Sequence, residues 1–503
     1  LPGPQSRAEQ QIAWHPTLSE QAYNEGIARI RNHIAAGDTY QVNYTFRVRT
    51  TDSLDLWSLF RQLVAAQGAG CHAFVNTGDW VLCSASPELF FAREGKTLLS
   101  RPMKGTAGRG LWYTQDREMA DWLRHSEKNR AENVMIVDMV RNDMGRIAEA
   151  GSVSVPLLFE LEKYRTVWQM TSTVQCRTSR SLPDIFRALF PPASITGAPK
   201  KRTMEIIAGL ENTPRNIYTG TIGFVMPDGR AQFNVAIRTL LADRRRQTAE
   251  YGVGGGIVWD SSADAEFAEC YAKARILTHP VPDFELLETL LWTPGNGTFM
   301  LDRHLERLAR SADYFDIALD ISRLRAELVA QERDFPSAPR KVRLLVSQRG
   351  QPRIEHHPLD TTRTGGPVQL ALAPEPVDPD NHFLYHKTTY RKVYEEAERS
   401  CPDADDVLLF NPRGEITETC IANIVVKTSA GLFTPPVRCG LLPGTYRGWL
   451  LEKAIIRERP IHVNELSSRS RLYLVNSVRK WRRAVLTTPT AAGEMGGTGN
   501  GGV

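Results

Sequence analysis

Lys104, in Arg101-Pro102-Met103-Lys104-Gly105-Thr106, follows the strand-like run Thr97-Leu98-Leu99-Ser100 and stands between a kink-forming proline and a glycine. Burial of such an amine disfavours its charged form and frees the lone pair for nucleophilic attack. Taken singly, it reads as a lysine snorkelling from a strand end to water. Glu266 and Glu269 are three residues apart and Lys273 follows four further on, so the three share one helix face. Glu132 lies on an earlier helical stretch beside apolar residues. Two carboxylates facing a third from another helix suit a hard, oxygen-seeking ion such as Mg²⁺, although the spacing by itself is that of an ordinary solvated Glu/Lys face. Arg238 ends the apolar run Phe233-Asn234-Val235-Ala236-Ile237, where a fork of donors suits a carboxylate. The run Gly252-Val253-Gly254-Gly255-Gly256 lacks a dinucleotide fingerprint but lets backbone N–H groups approach an anion. Together these residues suit a small, multiply anionic ligand held by a metal, an arginine and a glycine nest.

The elements that must position them follow from periodicity. Thr17-Leu18-Ser19-Glu20 reads as a capping box, followed by Tyr23, Ile27, Ile30 and Ile34 at helical spacing and Gly37 as a stop. Val42, Tyr44, Phe46 and Val48 alternate as in a strand. Residues 73–100 read as short strands and 127–147 as a helix; strands are expected at 165–177, 217–226, 231–240 and 250–259, then a helix from Ala263 to Leu277. Thr278-His279-Pro280-Val281-Pro282-Asp283 is a linker, after which the pattern restarts. Strands are expected at 284–292, 341–348, 368–373, 406–410, 422–427 and 471–476, and helices at 302–314 and 388–399. The domains are therefore 1–280 and 281–486, with 487–503 a disordered Gly/Thr/Ala tail.

The 503 residues suffice for two or three cores, and a net charge of +5 without a long basic run argues against nucleic acid as the main partner. Seven widely spaced cysteines without a Cys-x-x-Cys read as free thiols in a reducing cytoplasm. No apolar run reaches a membrane span, so no membrane association is expected. The start carries no methionine and no signal pattern, which reads as a fragment whose natural N-terminus lies upstream.

The first half resembles the chorismate-utilising enzymes, the family of anthranilate, aminodeoxychorismate, isochorismate and salicylate synthases. The matching stretches are Ser86-Pro87-Glu88, Arg101 to Thr106, Arg130 to Asp143, Ser194 to Lys200, Tyr218-Thr219-Gly220, Val235 to Arg238, Gly254 to Ile257, and Glu266 with Glu269 and Lys273. The resemblance implies an α+β, β-sandwich-like domain in which Glu132, Glu266 and Glu269 hold Mg²⁺, which binds one carboxylate of chorismate. It implies that Arg238, Tyr218, Lys273 and the Gly254, Gly255 and Gly256 backbone hold the other carboxylate, with Ser194 and Thr106 also at the substrate. Glu88 is implied as the acid that protonates the departing 4-hydroxyl. Relatives carry Ala before Gly-Thr in anthranilate and salicylate synthases and Lys in aminodeoxychorismate synthases. Lys104 is thus implied to add at C2 as the hydroxyl leaves, so that ammonia enters at C4. Asn129 and Gln169 depart from an acidic residue and a histidine common in relatives, and further N-terminal strands of relatives are absent. None of the cysteines lies in a glycine-rich strand–helix elbow, so ammonia is expected free or from a separate glutamine amidotransferase.

In the second half, Lys387 opens a helical run, Glu418 lies at a turn-to-strand junction, and Arg307 lies in His304-Leu305-Glu306-Arg307-Leu308. Each alone reads as a surface charge. A lysine for a Schiff base, a carboxylate for a pyridinium nitrogen and an arginine for a phosphate are together what pyridoxal 5′-phosphate requires. This half resembles the fold-type IV pyridoxal-phosphate enzymes, which implies a two-layer α/β domain and often a homodimer. Lys387 is implied to bond the cofactor and act as acid and base, Glu418 to pair with the ring nitrogen, and Arg307, Thr445 and Ser477 to bind phosphate. Thr289 is implied to assist pyruvate release. The two halves in sequence imply conversion of chorismate and ammonia to 4-amino-4-deoxychorismate, then pyruvate elimination to 4-aminobenzoate in folate synthesis. The alternatives are an anthranilate-type amination fused to a D-amino-acid or branched-chain transaminase, or a truncated, non-catalytic binding module.

Overall fold

The structure, a computed structural model, describes residues 12–68, 70–278, 282–359 and 366–487. The chain divides into two compact units, one of residues 1–109 and 117–281, the other of 110–116 and 282–503. The expected linker centre at 279–281 and the expected tail beyond 487 fall outside the described residues.

Two antiparallel sheets build the first unit. One runs His15–Pro16, Gln41–Thr50, Thr248–Ile257, Thr239–Asp243, Trp80–Ser86, Cys71–Asn76, with Gly197–Ala198 also on Gln41–Thr50. Helices Glu20–Ala35, Leu56–Gln67, Lys200–Leu210 and Ala263–Ala274 bury its apolar face around Tyr23, Ile27, Val42, Tyr44, Phe46 and Val48. The other sheet runs Gly223–Val225, Ala231–Asn234, Leu89–Glu94, Thr97–Arg101, Val167–Arg177, Met103–Gly108, with Ser154–Lys163 also on Val167–Arg177. Helices Glu127–Gly145 and Leu182–Leu189 pack on it through Ile136, Val137, Val140 and Ile185.

Four expectations are corrected in detail. The first helix is capped by Ser19, whose Oγ accepts from Ala22 N at 3.2 Å, and not by Thr17. Thr17 instead joins the sheet, its N–H donating to Arg47 O at 2.8 Å. The expected strand at 231–240 breaks after Asn234, because Arg238 adopts a left-handed φ of 50° and re-aims the chain before Thr239–Asp243 begins. Of residues 217–226, Gly223–Val225 alone is strand, and Tyr218 lies in a turn.

In the second unit, an antiparallel sheet of Gly297–Thr298, Leu286–Thr293, Arg340–Val346 and Pro352–Pro358 is backed by helices Leu301–Tyr314 and Ile321–Gln331. A larger sheet runs Ile416–Thr419, Asp406–Phe410, Val368–Leu372, Lys480–Leu486, Arg471–Asn476, Asn423–Thr428, Gly431–Thr434, Arg457–Glu458. The expected helix at 388–399 starts only at Lys392, because backbone bonds Leu287 N to Lys387 O (2.9 Å) and Thr389 N to Glu285 O (2.9 Å) hold the preceding residues extended against Leu286–Thr293.

Candidate active sites

The Lys104 amine reaches across from the strand Met103–Gly108 to the glycine strand Thr248–Ile257: a Cβ on Gly256 would lie 2.6 Å from Lys104 Nζ and 2.5 Å from Gln41 Nε2. Glycine is favoured there by the space the amine takes, not by backbone conformation. Around Lys104 the backbone bulges away from regular pairing between Met103 and Thr106. Asn133 Nδ2 donates to Lys104 O (3.0 Å) and Gln169 Nε2 to Gly105 O (3.0 Å), which fixes the bulge. Burial lowers the pKa of Lys104; the carboxylates Glu132, Glu88 and Glu269 pull the other way and Lys273 with it, and the net effect is downward. The amine is thus easier to deprotonate than a surface lysine, which a nucleophile needs.

Glu88 is 4% exposed, and burial pushes its carboxyl up to about 7 against the opposing pull of Ser194 and Lys104. It therefore holds a proton up to near neutrality, as a general acid must. Ser194, in a short 3₁₀ turn Ala193–Ile195, bonds to it directly.

Helix Ala263–Ala274 supplies Glu266, Glu269 and Lys273. A Cβ on Gly255 would lie 2.8 Å from Glu266 Oε2, and Ser261 Oγ donates to Glu266 Oε1 at 2.8 Å. Lys273 Nζ donates to Gly254 O (2.8 Å) and pairs with Glu269 (2.7 Å). Arg238 Nη1 donates to Lys273 O at 3.1 Å, and the Tyr218 ring fills the place of a side chain on Gly252. The structure therefore brings Lys104, Glu88, Ser194, Arg238, Tyr218, Lys273 and the glycines into one region. Thr106 is not part of it: its side chain is exposed and donates to Gln169 Oε1 at 3.1 Å.

The expected metal ligands are also not assembled. Among the described residues, no three His, Cys, Asp or Glu side chains lie close enough to hold an ion. Glu132, Glu266 and Glu269 each feel the Lys104 charge, yet Glu269 is committed to Lys273 and Glu266 to Ser261. Their carboxylate oxygens are the donors Mg²⁺ prefers, and gathering them requires those two bonds to open.

A buried polar face was missed by sequence reasoning. On Gln41–Thr50 the residues between the apolar ones, Gln41, Asn43, Thr45 and Arg47, are also buried. Alternation alone assigns such a face to solvent; the facing glycines 252, 254 and 256 were the signal that polar side chains point inward there.

In the second unit Lys387 is enclosed, and burial, reinforced by the neighbouring Arg307, lowers its pKa to about 8. Glu418 accepts from Leu442 N (3.0 Å), Tyr394 Oη (2.9 Å) and Asn423 Nδ2 (3.1 Å), and burial raises its carboxyl to about 7. Arg307 makes a fork to Glu288, Nε to Oε1 at 2.8 Å and Nη2 to Oε2 at 2.7 Å, while Nη1 donates to Pro443 O at 3.3 Å. Burial pushes the Glu288 carboxyl up, but Arg307 and His304 override it and hold it at about 2. His304 Nε2 lies 3.3 Å from Thr445 Oγ1, and Ser477 Oγ donates to Thr289 O at 3.3 Å. Helix Thr445–Glu452 begins at Gly444 without a side-chain cap, and a Cβ on Gly444 would lie 2.0 Å from Asn423 Oδ1. An arginine beside the uncapped amides of a helix start, a neutralisable lysine and a well-anchored carboxylate fit pyridoxal phosphate. Glu288, His304, Tyr394 and Asn423 were not anticipated, since only tertiary contact with Arg307 or Glu418 distinguishes them from other residues of their type.

Among the described residues no helix is long and apolar enough to cross a membrane. The family described as chorismate binding enzyme matches residues 1–279, and that described as amino-transferase class IV matches residues 285–486. Aminodeoxychorismate synthase component 1 of Salmonella typhimurium is 40% identical over 271 residues, 54% of this chain and 59% of the relative. Anthranilate synthase component 1 of Streptomyces coelicolor is 39% identical over 274 residues, 52% of each chain. The crystal structure of anthranilate synthase component I from Streptococcus pneumoniae superposes with a TM-score of 0.51 at 29% identity, covering 56% of this chain and 63% of that one. The chain spans about three fifths or less of the length of these relatives.

Proposed function

From the premise that this chain belongs to the chorismate binding enzyme family, and carries an amino-transferase class IV domain behind it, we propose that it aminates chorismate at C4 and then releases pyruvate to leave 4-aminobenzoate. Overall identity to named relatives does not choose between amination at C2 and at C4, since 40% and 39% are equivalent. The observation that carries the choice is Lys104, a buried amine of lowered pKa against Gly256 with the acid Glu88 within electrostatic reach.

The neutral Lys104 amine forms a bond to C2 as both ring double bonds shift; the C4–O bond breaks, and Glu88 supplies the proton with which the hydroxyl leaves as water. Ammonia then bonds to C4, both double bonds shift back, the C2–N bond breaks, and Lys104 departs with its electron pair as a free amine. The proton shed by the new C4 ammonium returns to Glu88. Arg238, Tyr218, Lys273 and the Gly254–Gly256 backbone hold one substrate carboxylate, and Ser194 orients Glu88. Mg²⁺, held by Glu132, Glu266 and Glu269, would neutralise the other carboxylate. A separate glutamine amidotransferase is the proposed source of ammonia.

In the second unit, pyridoxal phosphate would supply an electron sink for the bond cleavage. Lys387 would bear it and move the C4 proton, Glu418 would face its ring nitrogen, and Arg307, Thr445 and Ser477 would hold its phosphate, with Thr289 beside the departing pyruvate. Incubation with chorismate, Mg²⁺, an ammonium salt and pyridoxal phosphate, followed by chromatography, tests the whole proposal. 4-Aminobenzoate and pyruvate in equal amounts are expected; 2-aminobenzoate, or no product, contradicts it.

A further inference from the structure

Arg47 is 2% exposed, in the middle of the strand Gln41–Thr50, and its Nε has no hydrogen-bond partner. Its other contacts are weak and neutral: Nη1 to Phe46 O (3.2 Å) and Thr45 Oγ1 (3.3 Å), and Nη2 to Pro214 O (3.3 Å). Among the described residues no carboxylate forms an ion pair with it; Glu211 and Glu250 act on it only at a distance. A guanidinium taken out of water without a counter-ion costs several kcal/mol in order of magnitude, so something other than stability must retain it.

Its plane lies over the Tyr218 ring, with 4.7 Å from Cζ to the ring centroid. The turn carrying that ring is strained on both sides: Asn216 has φ 51° and Thr219 φ 63°, and a β-branched residue in the left-handed region is an outlier. Arg47 ties this turn at Pro214, and Arg215 ties it to Ile195 O (2.8 Å) and Asn43 O (2.6 Å). Opposite Arg47 in the ladder stands Gly252, on which the Tyr218 ring rests. Arginine, phenol and glycine thus stack on one rung, a few residues along the same strand from Gly254 and Gly256.

We infer that Arg47 is a positioning residue, holding the strained turn so that the Tyr218 phenol faces the substrate, with its unmatched positive charge directed to a carboxylate of the bound dianionic substrate. This rests on the proposed reading of the first site. Arg47→Met removes the charge but keeps a similar reach. Replacing a buried, unpaired charge by an apolar chain is neutral or stabilising, so the variant melts no lower than the parent, whereas an arginine retained for stability alone would leave a variant that melts several degrees lower. In steady-state amination with ammonium, its KM for chorismate rises about tenfold or more with kcat within about threefold, and Arg47→Lys recovers most of the loss. In a Tyr218→Phe background, Arg47→Met adds less than it does alone. A lower melting temperature, or an unchanged KM in Arg47→Met, overturns the inference. If the parent itself fails to turn over chorismate, the proposed reaction falls, and the melting comparison alone then decides the claim on Arg47.

Discussion

Both units bury one lysine amine and one carboxylate poised near neutrality, but they surround the amine differently. Around Lys104 the charged neighbours are mainly carboxylates, Glu132, Glu88 and Glu269, opposed by Lys273. Around Lys387 the nearest influence after burial is the cation Arg307, with Arg391 acting the same way against Glu288 and Glu418. Carboxylates favour the charged form of Lys104, and only burial frees its lone pair. Cations add to burial at Lys387 and hold it at about 8. The carboxylates teach the same lesson. Glu418 and Glu288 are both enclosed, yet Glu418, held by neutral donors, lies at about 7, and Glu288, gripped by Arg307 and His304, at about 2. Burial pushes both carboxyls up, and only the charged partners of Glu288 are strong enough to reverse the sign.

The comparison breaks most visibly at the two lysines. Lys104→Ala is expected to lower C4 amination by roughly 10³-fold or more, since the proposed covalent step needs its amine, and the neighbouring Lys273 is already paired with Glu269. Product chromatography checks it, and residual C2 amination is the informative by-product. Lys387→Ala is expected to abolish pyruvate release while leaving amination within about twofold, so 4-amino-4-deoxychorismate accumulates. That variant also lacks the visible absorbance band given by a covalently bound cofactor.

Glu88→Gln is expected to slow amination by roughly 10²–10⁴-fold, the range of a positioned acid. In the parent, amination falls as pH rises through about 7, because Glu88 must be protonated to act. A pH–rate profile without that limb contradicts the assignment. Glu288→Gln leaves Arg307 and His304 buried without their counter-ion and is expected to destabilise the second unit by about 3 kcal/mol, read by denaturant unfolding. Since Glu288 titrates lower folded than unfolded, its contribution is present above the ordinary carboxylate range and is lost as pH falls toward about 2. The smallest expected change is in Gly256→Ala: its methyl meets Lys104 Nζ and Gln41 Nε2, which are side-chain ends able to shift, so amination falls about tenfold with melting unchanged.

Much of this architecture was legible in the sequence because it rests on local rules. Val42, Tyr44, Phe46 and Val48 alternate and are buried, and Glu266, Glu269 and Lys273 share a helix. What was not legible depends on facing elements. Arg47 reads as the solvent side of a strand until the glycine strand is laid against it. Arg238 reads as a strand end, but its left-handed φ follows from the need to change sheets between Asn234 and Thr239. Thr106 lies two residues from Lys104, where regular alternation would put both side chains on one face, yet the bulge between Met103 and Thr106 breaks that alternation and leaves Thr106 exposed. The three glutamates expected to hold a metal were not legible for a related reason: Glu132, Glu266 and Glu269 lie on two helices whose spacing no periodicity reports, and Lys273 holds one of them.

The central claim is the covalent part played by Lys104. Mass analysis of the first unit's peptides, after rapid quenching during turnover of chorismate with limiting ammonium, tests it directly. The account predicts a substrate-derived mass on the peptide containing Lys104, absent in Lys104→Ala and chased off by added ammonium as the C4-aminated product forms. An unmodified Lys104 at every time point, with C4-aminated product still accumulating, would contradict it.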